Sequence, residues 1–396
     1  MAVRLICLQD NLSTALSIVE KAVATRSTLP VLSNVYLEAR EGRLMLSATN
    51  LDISITCWIG ANIEEEGATT VPARLFSDFV DSLPSEPVEL ELIVRTQTLN
   101  IRCGRFEANI RGMDATEFPE VMTASKLEGQ STRIVTPLRP ATLRKIIQQV
   151  TFAAASEETH PFLSGAFTSL EGDQLTLAAT DGYRLSVRNV ILPQPVEGSF
   201  EVIIPAKALD ELARIATEAD ESQPIEILIP QGRNQILFHL KGQPEGPVMA
   251  IELLSQLIES TYPDFRALIP KEYNTRVVVK KDAFLKALKI AHLFAKDRDN
   301  MVKLEIAPAS ELLPGSLTIR ATSRQYGDNV SQVEAKVQGA PLEIAFNVKY
   351  LIEALSVMEE DEIALEATTS SSPGVLKPAD GEDFIHVVMP MYLEEE

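Results

Sequence analysis

Apolar residues recur along this chain in two rhythms. Stretches such as VELELIV (88–94), IEILIP (225–230) and IALEAT (363–368) carry them at every second position, as a strand with one buried face does. LSTALSIVEKAV (12–23), LRKIIQQVTFAA (143–154) and FLKALKIAHLFA (284–295) space them three and four apart, which predicts amphipathic helices. A second helical set follows each of these: VPARLFSDFVDSL (71–83), IPAKALDELARIA (204–216) and FNVKYLIEALSVM (346–358). Pro72 and Pro205 suit a first helical turn, where no N–H is needed, and Asn347 can cap the third member.

The same order of elements occurs three times. VLSNVYLEAREGRLMLSATNLD (31–52) lies over FLSGAFTSLEGDQLTLAATDGY (162–183) without a gap, at an offset of 131 residues. Leu32, Ser33, Leu44, Leu46, Ala48 and Thr49 meet identical residues, and LTIRAT (317–322) repeats the alternation once more. A period this long is a duplicated globular unit, not a solenoid turn. The expected architecture is α+β: three domains of antiparallel sheet with two helices each, over 1–122, 132–265 and 274–396. Polar, turn-rich linkers are expected near 123–131 and 269–275, and a long Pro-containing loop at 370–383.

Charge changes this picture. The 396 residues carry a formal charge of −20, which taken alone argues against a nucleic-acid partner. The six helical windows run the other way, with 14 basic against 8 acidic residues, leaving 22 against 48 elsewhere. Arg74, Lys207 and Lys349 occupy one slot of the second helix in all three units, while Arg144, Lys145, Lys286 and Lys289 load the first helix of the later two. Positive helices inside an acidic protein fit a shared surface facing a polyanion, held through phosphates without reading sequence. Three like domains in a line form an arc, and a second copy joined head to tail could close a ring.

At this point specific motifs stand out. RSTLPVLSNVYLE (26–38), ATDGYRL (179–185), YPDF (262–265), FNVKYL (346–351) and VVMPMYL (387–393) resemble the bacterial sliding clamps, the β subunits of DNA polymerase III, across the whole chain. The resemblance implies a head-to-tail homodimeric ring around double-stranded DNA, loaded by a clamp loader and tethering the replicative polymerase. It also implies a pocket where polymerase, clamp-loader and repair proteins insert a short apolar peptide. Residue by residue, that pocket would hold Leu163, Thr180, Gly182, Tyr183, Arg184, Leu185, Pro263, Leu268, Val387, Met389, Pro390, Met391 and Leu393, with Asn347 and Tyr350 at its rim. Met and Leu make an adaptable floor, and Tyr183 and Arg184 would offer polar anchoring. Arg26 matches a position on a loop that meets the duplex, and Leu293 and Phe294 match an apolar pair expected to meet the other subunit near Ile110. His160, Ala267 and Tyr392 depart from the arginines some clamps carry, which bears on the pocket's polar rim.

No nucleotide-binding, zinc-protease or nucleophile-elbow motif occurs, and the four histidines have no metal-ligand spacing. No cofactor or metal is therefore expected, nor a catalytic role. Asp181 beside Tyr183 and Arg184 could imitate an acid–base site, but Asn50 and Asp52 stand in the matching turn of the first unit, so turn chemistry explains it. A metal-dependent nuclease would need converging carboxylates where the repeated slots are basic. A duplicate clamp kept for repair is not separated by sequence from a replicative one. Three scattered cysteines and no run of about 18 apolar residues lead to the expectation of a reduced, cytoplasmic protein without a membrane partner.

Overall fold

The computed structural model describes residues 3–156, 160–311 and 314–392. The three helix pairs form as the periodicity predicts: α1 (Gln9–Val19) with α2 (Ala73–Asp81), α3 (Pro140–Val150) with α4 (Ala206–Ile215), and α5 (Lys281–Ala295) with α6 (Val348–Val357). α2 shows the rule plainly, burying Ala73, Phe76, Ser77 and Val80 while Arg74 and Asp78 stay in water. Two details differ from expectation. Pro72 and Pro205 sit at the N-cap itself, because each ends the preceding strand with an extended ψ. The first helices start about three residues early, α1 and α5 directly after a strand and α3 after a three-residue connection. Asn347 does cap α6, its side chain accepting from the Lys349 N–H at 3.0 Å.

Among the described residues all strand pairings are antiparallel, and they build four sheets of five, eight, nine and four strands. The middle two cross the domain boundaries. Strand Ile53–Gly60 of the first domain pairs with Ala250–Gln256 of the second, and Arg184–Ile191 of the second pairs with Phe384–Val388 of the third. The same two positions of the repeat are joined each time. In register, Ile53 faces Ser255 and Cys57 faces Ile251; Arg184 faces Val388 and Arg188 faces Phe384. The outer sheets therefore end in unpaired copies of these strands, Phe106–Arg111 in the first domain and Gly327–Glu334 in the third.

One apolar core runs continuously through the first two domains and a second fills the third, with Phe152 touching both. The helices cover one face of the sheets. Across the other face run the interdomain segments: Phe118 and Val121 pack near Tyr36 and Met45, Leu127 packs on Leu228 and Leu237, and Tyr262 and Phe265 pack on Phe167, Leu185 and Val387. The 370–383 stretch is not simply a loop. Gly374–Pro378 is a strand of the nine-stranded sheet, and Phe346 packs so tightly over Gly374 that a Cβ there would lie 2.5 Å from its ring.

Candidate functional site

The turn at 180–184 is held by its own short side chains. Thr180 Oγ1 accepts from the Gly182 N–H at 3.0 Å and donates to the Arg184 carbonyl at 2.6 Å. Asp181 Oδ1 accepts from the N–H groups of Tyr183 and Arg184, at 2.9 and 3.0 Å. The first domain repeats every one of these bonds with Thr49 and Asn50, and Leu51 adopts φ 78° where Gly182 has φ 90°. Asp181 is thus a turn carboxylate, as expected.

Arg184 departs from its expected role. Its side chain is only 9% exposed and points into the joint, not outward as a polar anchor. Nε donates to Asp181 at 3.1 Å, Nη2 donates to the Phe152 carbonyl at 2.6 Å, and Nη1 pairs with Glu353 of α6. The guanidinium lies 4.5 Å from the Tyr350 ring centroid and 5.3 Å from that of Phe152. Each of the three guanidinium nitrogens thus has a partner, one of them on the third domain, so the residue ties two domains together. Beside it, His386 is fully buried and shares a 2.7 Å hydrogen bond with the Ser186 hydroxyl. Burial, then the Arg184 charge, pushes its pKa down to about 3, so the ring is neutral. Tyr350 is raised above the ordinary phenol value, chiefly by desolvation.

The C-terminal segment continues from that joint. The Met389 N–H donates to the Tyr183 carbonyl at 2.9 Å, and the Met391 N–H to the Ala345 carbonyl at 2.8 Å. Tyr183, Leu268 and Met389 are exposed by 65%, 51% and 45%, and Pro263, two residues before the buried Phe265, is exposed too. Leu163, Thr180, Leu185 and Val387 lie beneath the surface, the last two in one apolar cluster with Phe265. Pro390 and Met391 are half-buried, and Leu393 lies outside the described residues. Sequence reasoning missed Phe167 and Tyr262, whose rings pack at 5.7 Å, and Phe152 and Glu353, which hold Arg184. Their only signal was ordinary hydrophobicity or helix-surface charge.

Of the expected DNA-facing residues, Arg26, Arg74, Lys207, Lys286, Lys289 and Lys349 are exposed. Arg74, Lys207 and Lys349 are each the second residue of their helix, where a cation opposes the helix dipole. Three such placements indicate a demand other than helix stability. Arg144 and Lys145 are instead occupied by carboxylates, Glu221 at 3.1 Å and Glu359 at 2.6 Å, and Lys145 reaches across the second joint to do so.

Ile110, the residue near which the second copy is expected, lies on the unpaired edge strand of the first domain. Ile110 is 5% exposed and belongs to the first core, because its strand turns that side chain under the helices. On the same strand face, Phe106 stands 54% exposed. Leu293 is 62% exposed, whereas Phe294 is half-buried against the third core.

Models of the DNA polymerase III beta subunit match its N-terminal domain at residues 3–122, its central domain at 137–264 and its C-terminal domain at 266–392. The chain belongs to the DNA polymerase III beta subunit family. The beta sliding clamp of Bacillus subtilis is 32% identical over 97% of this chain and 98% of its own. The solved sliding clamp from Bacillus subtilis superposes with a TM-score of 0.88 at 30% identity, covering all of both chains. A sliding clamp from Pseudomonas aeruginosa bound to griselimycin gives 0.86 at 27% identity, over 99% of this chain and all of that one. Membership makes this chain a processivity clamp of DNA replication.

Proposed function

We propose that two copies close head to tail into a ring around duplex DNA, with the helices lining the hole, and that the surface of Tyr183, Leu268 and Met389 receives short apolar peptides from the polymerase and other partners. One observation carries the ring: both internal joints use the same two strands of the repeat, and each chain ends in one unpaired copy of each. An exposed edge is otherwise a liability.

The internal joints supply a register for the closing one. Phe106 corresponds to Ile251 and Phe384, both fully buried at their joints, and Ser331 corresponds to Cys57 and Arg188. Phe106 then faces Ser331 of the second copy, and Ile110 faces Gly327. A groove of about 760 Å³ waits there, lined by Ala283, Ala287 and Ile290 of α5 and by Ser331 and Val333. Leu293 corresponds in the repeat to Phe152, which already seals the second joint from both sides. Two identical closures pair every unpaired copy of the joint strands in both copies.

The reading is non-catalytic: phosphate-facing cations grip without base contacts, and topology supplies retention. Among the described residues no helix is long and apolar enough to cross a membrane. The cytoplasm is the compartment proposed, since duplex DNA is the partner. The test is retention on circular against linearised plasmid after loading by the matching clamp loader with ATP, with molar mass from light scattering. A dimer that survives a high-salt wash on the circle and leaves the cut molecule is held topologically. Equal loss from both refutes the ring.

A further inference from the structure

The outer face of the first joint holds a feature that neither the ring nor the C-terminal surface uses. There the segment between the first two domains is pinned at two places, by Phe118 and Val121 on one side and by Leu127 on the other. Between these anchors lies a groove of about 690 Å³, where the second joint is filled instead by the cluster around Phe265. Its apolar lining includes Met45, Met249 and Trp58, the only tryptophan in the chain. Met249 is 49% exposed although its N–H is fixed to the Trp58 carbonyl at 2.8 Å.

Charge around this groove differs from the rest of the protein: Arg40, Arg43, Lys126 and Lys241 line it against Glu38, Glu41 and Glu252, a slight positive excess. Its deep carboxylate is already engaged: Glu252, 5% exposed, accepts from the Ala124 N–H at 3.1 Å and meets His239 Nδ1 at 2.8 Å. Arg40 and Arg43 share the single carboxylate of Glu41, at 3.3 and 3.9 Å, and Arg43 is 49% exposed. Lys241 meets the neutral Gln223 amide at 3.4 Å. With Glu38 accepting from the Tyr36 hydroxyl at 3.3 Å, Arg43 and Lys241 are the least compensated charges of the rim, in a chain of net −20.

We propose that this groove is a second docking site on the clamp, taking an extended peptide segment of a partner protein whose apolar anchor is flanked by carboxylates. The anchor lies on Met45, Trp58 and Met249, surfaces that adapt to several shapes. The carboxylates pair with Arg43 and Lys241. A nucleotide is a poorer fit, because the walls are strands and linker, with no helix N-terminus to meet a phosphate. Duplex DNA belongs to the opposite, helical face. The proposal does not depend on ring closure.

Trp58 reports on the site directly. The experiment titrates the isolated protein with a hexapeptide of Ile-Phe flanked by two aspartates on each side, following Trp58 emission and, on the same samples, calorimetric heat. A lysine-flanked twin serves as the control. Saturable emission change with the acidic peptide alone, weakened about tenfold or more by Arg43→Glu with Lys241→Glu, is the expected result. Both substitutions are at exposed side chains, and a melting curve checks that the fold is kept. No saturable emission change up to about 1 mM, an affinity that would be only about −4 kcal/mol, overturns the proposal. So does an equal response to the lysine-flanked twin, or binding heat that survives the charge reversal.

Discussion

Phe106→Ala tests the ring at the residue that carries its closing joint. Phe106 is 54% exposed in the single chain, whereas its counterparts Ile251 and Phe384 are wholly buried at the internal joints. With about 200 Å² for the whole side chain, roughly 110 Å² awaits burial, of which truncation removes about two thirds. At about 25 cal/mol per Å² that is ~1.8 kcal/mol per joint, and a ring has two joints. The dimer should weaken by about 3.5 kcal/mol, a few hundredfold in dissociation constant. The monomer should not notice, since a substitution at an exposed edge stays within about 0.5 kcal/mol. Sedimentation equilibrium over a dilution series reads the first quantity and a thermal melt the second. An unchanged dissociation constant would refute this register, which puts Phe106 in the place of the buried Ile251 and Phe384.

Three further outcomes follow from the same geometry. Met389→Ala should weaken a polymerase-derived peptide about tenfold in an anisotropy titration with an unaltered melt, whereas Leu185→Ala, 2% exposed, should cost about 2–5 kcal/mol of stability and confound the assay. Glu359→Gln frees Lys145, so the slope of log affinity for duplex DNA against log salt should steepen by about 0.9 in filter binding. His386 titrates lower when folded than unfolded, so the unfolded chain takes up the extra proton. Its stability contribution is complete above about pH 6.5 and falls by about 1.4 kcal/mol per unit towards about pH 3. His386→Phe should flatten the melting temperature over that window, and an equally steep profile would assign the acid sensitivity elsewhere.

Sequence alone determined whatever depends on local spacing. Period-two and period-3.6 patterns fixed the strands and the six helices, because each buries one face whatever its neighbours are. The 131-residue offset revealed the triplication, and the recurring cation in the second helix marked the basic face. The turn chemistry of Asp181 was also legible, since its bonds reach only three residues along the chain.

What depends on contacts between distant segments was not legible. Arg184 reads as an outward arginine beside a turn. It becomes an interior clamp only because Glu353, 169 residues away, and the Phe152 carbonyl arrive at its guanidinium. Ile110 and Phe106 are both apolar residues on one strand, and nothing local says which is covered by the helices and which is left in water. The second joint is filled and the first left grooved because the two linkers anchor differently, through Phe265 in one case and through Val121 and Leu127 in the other. Side-chain spacing decides which face is apolar; only the packing of domain on domain decides which apolar face stays open for a partner.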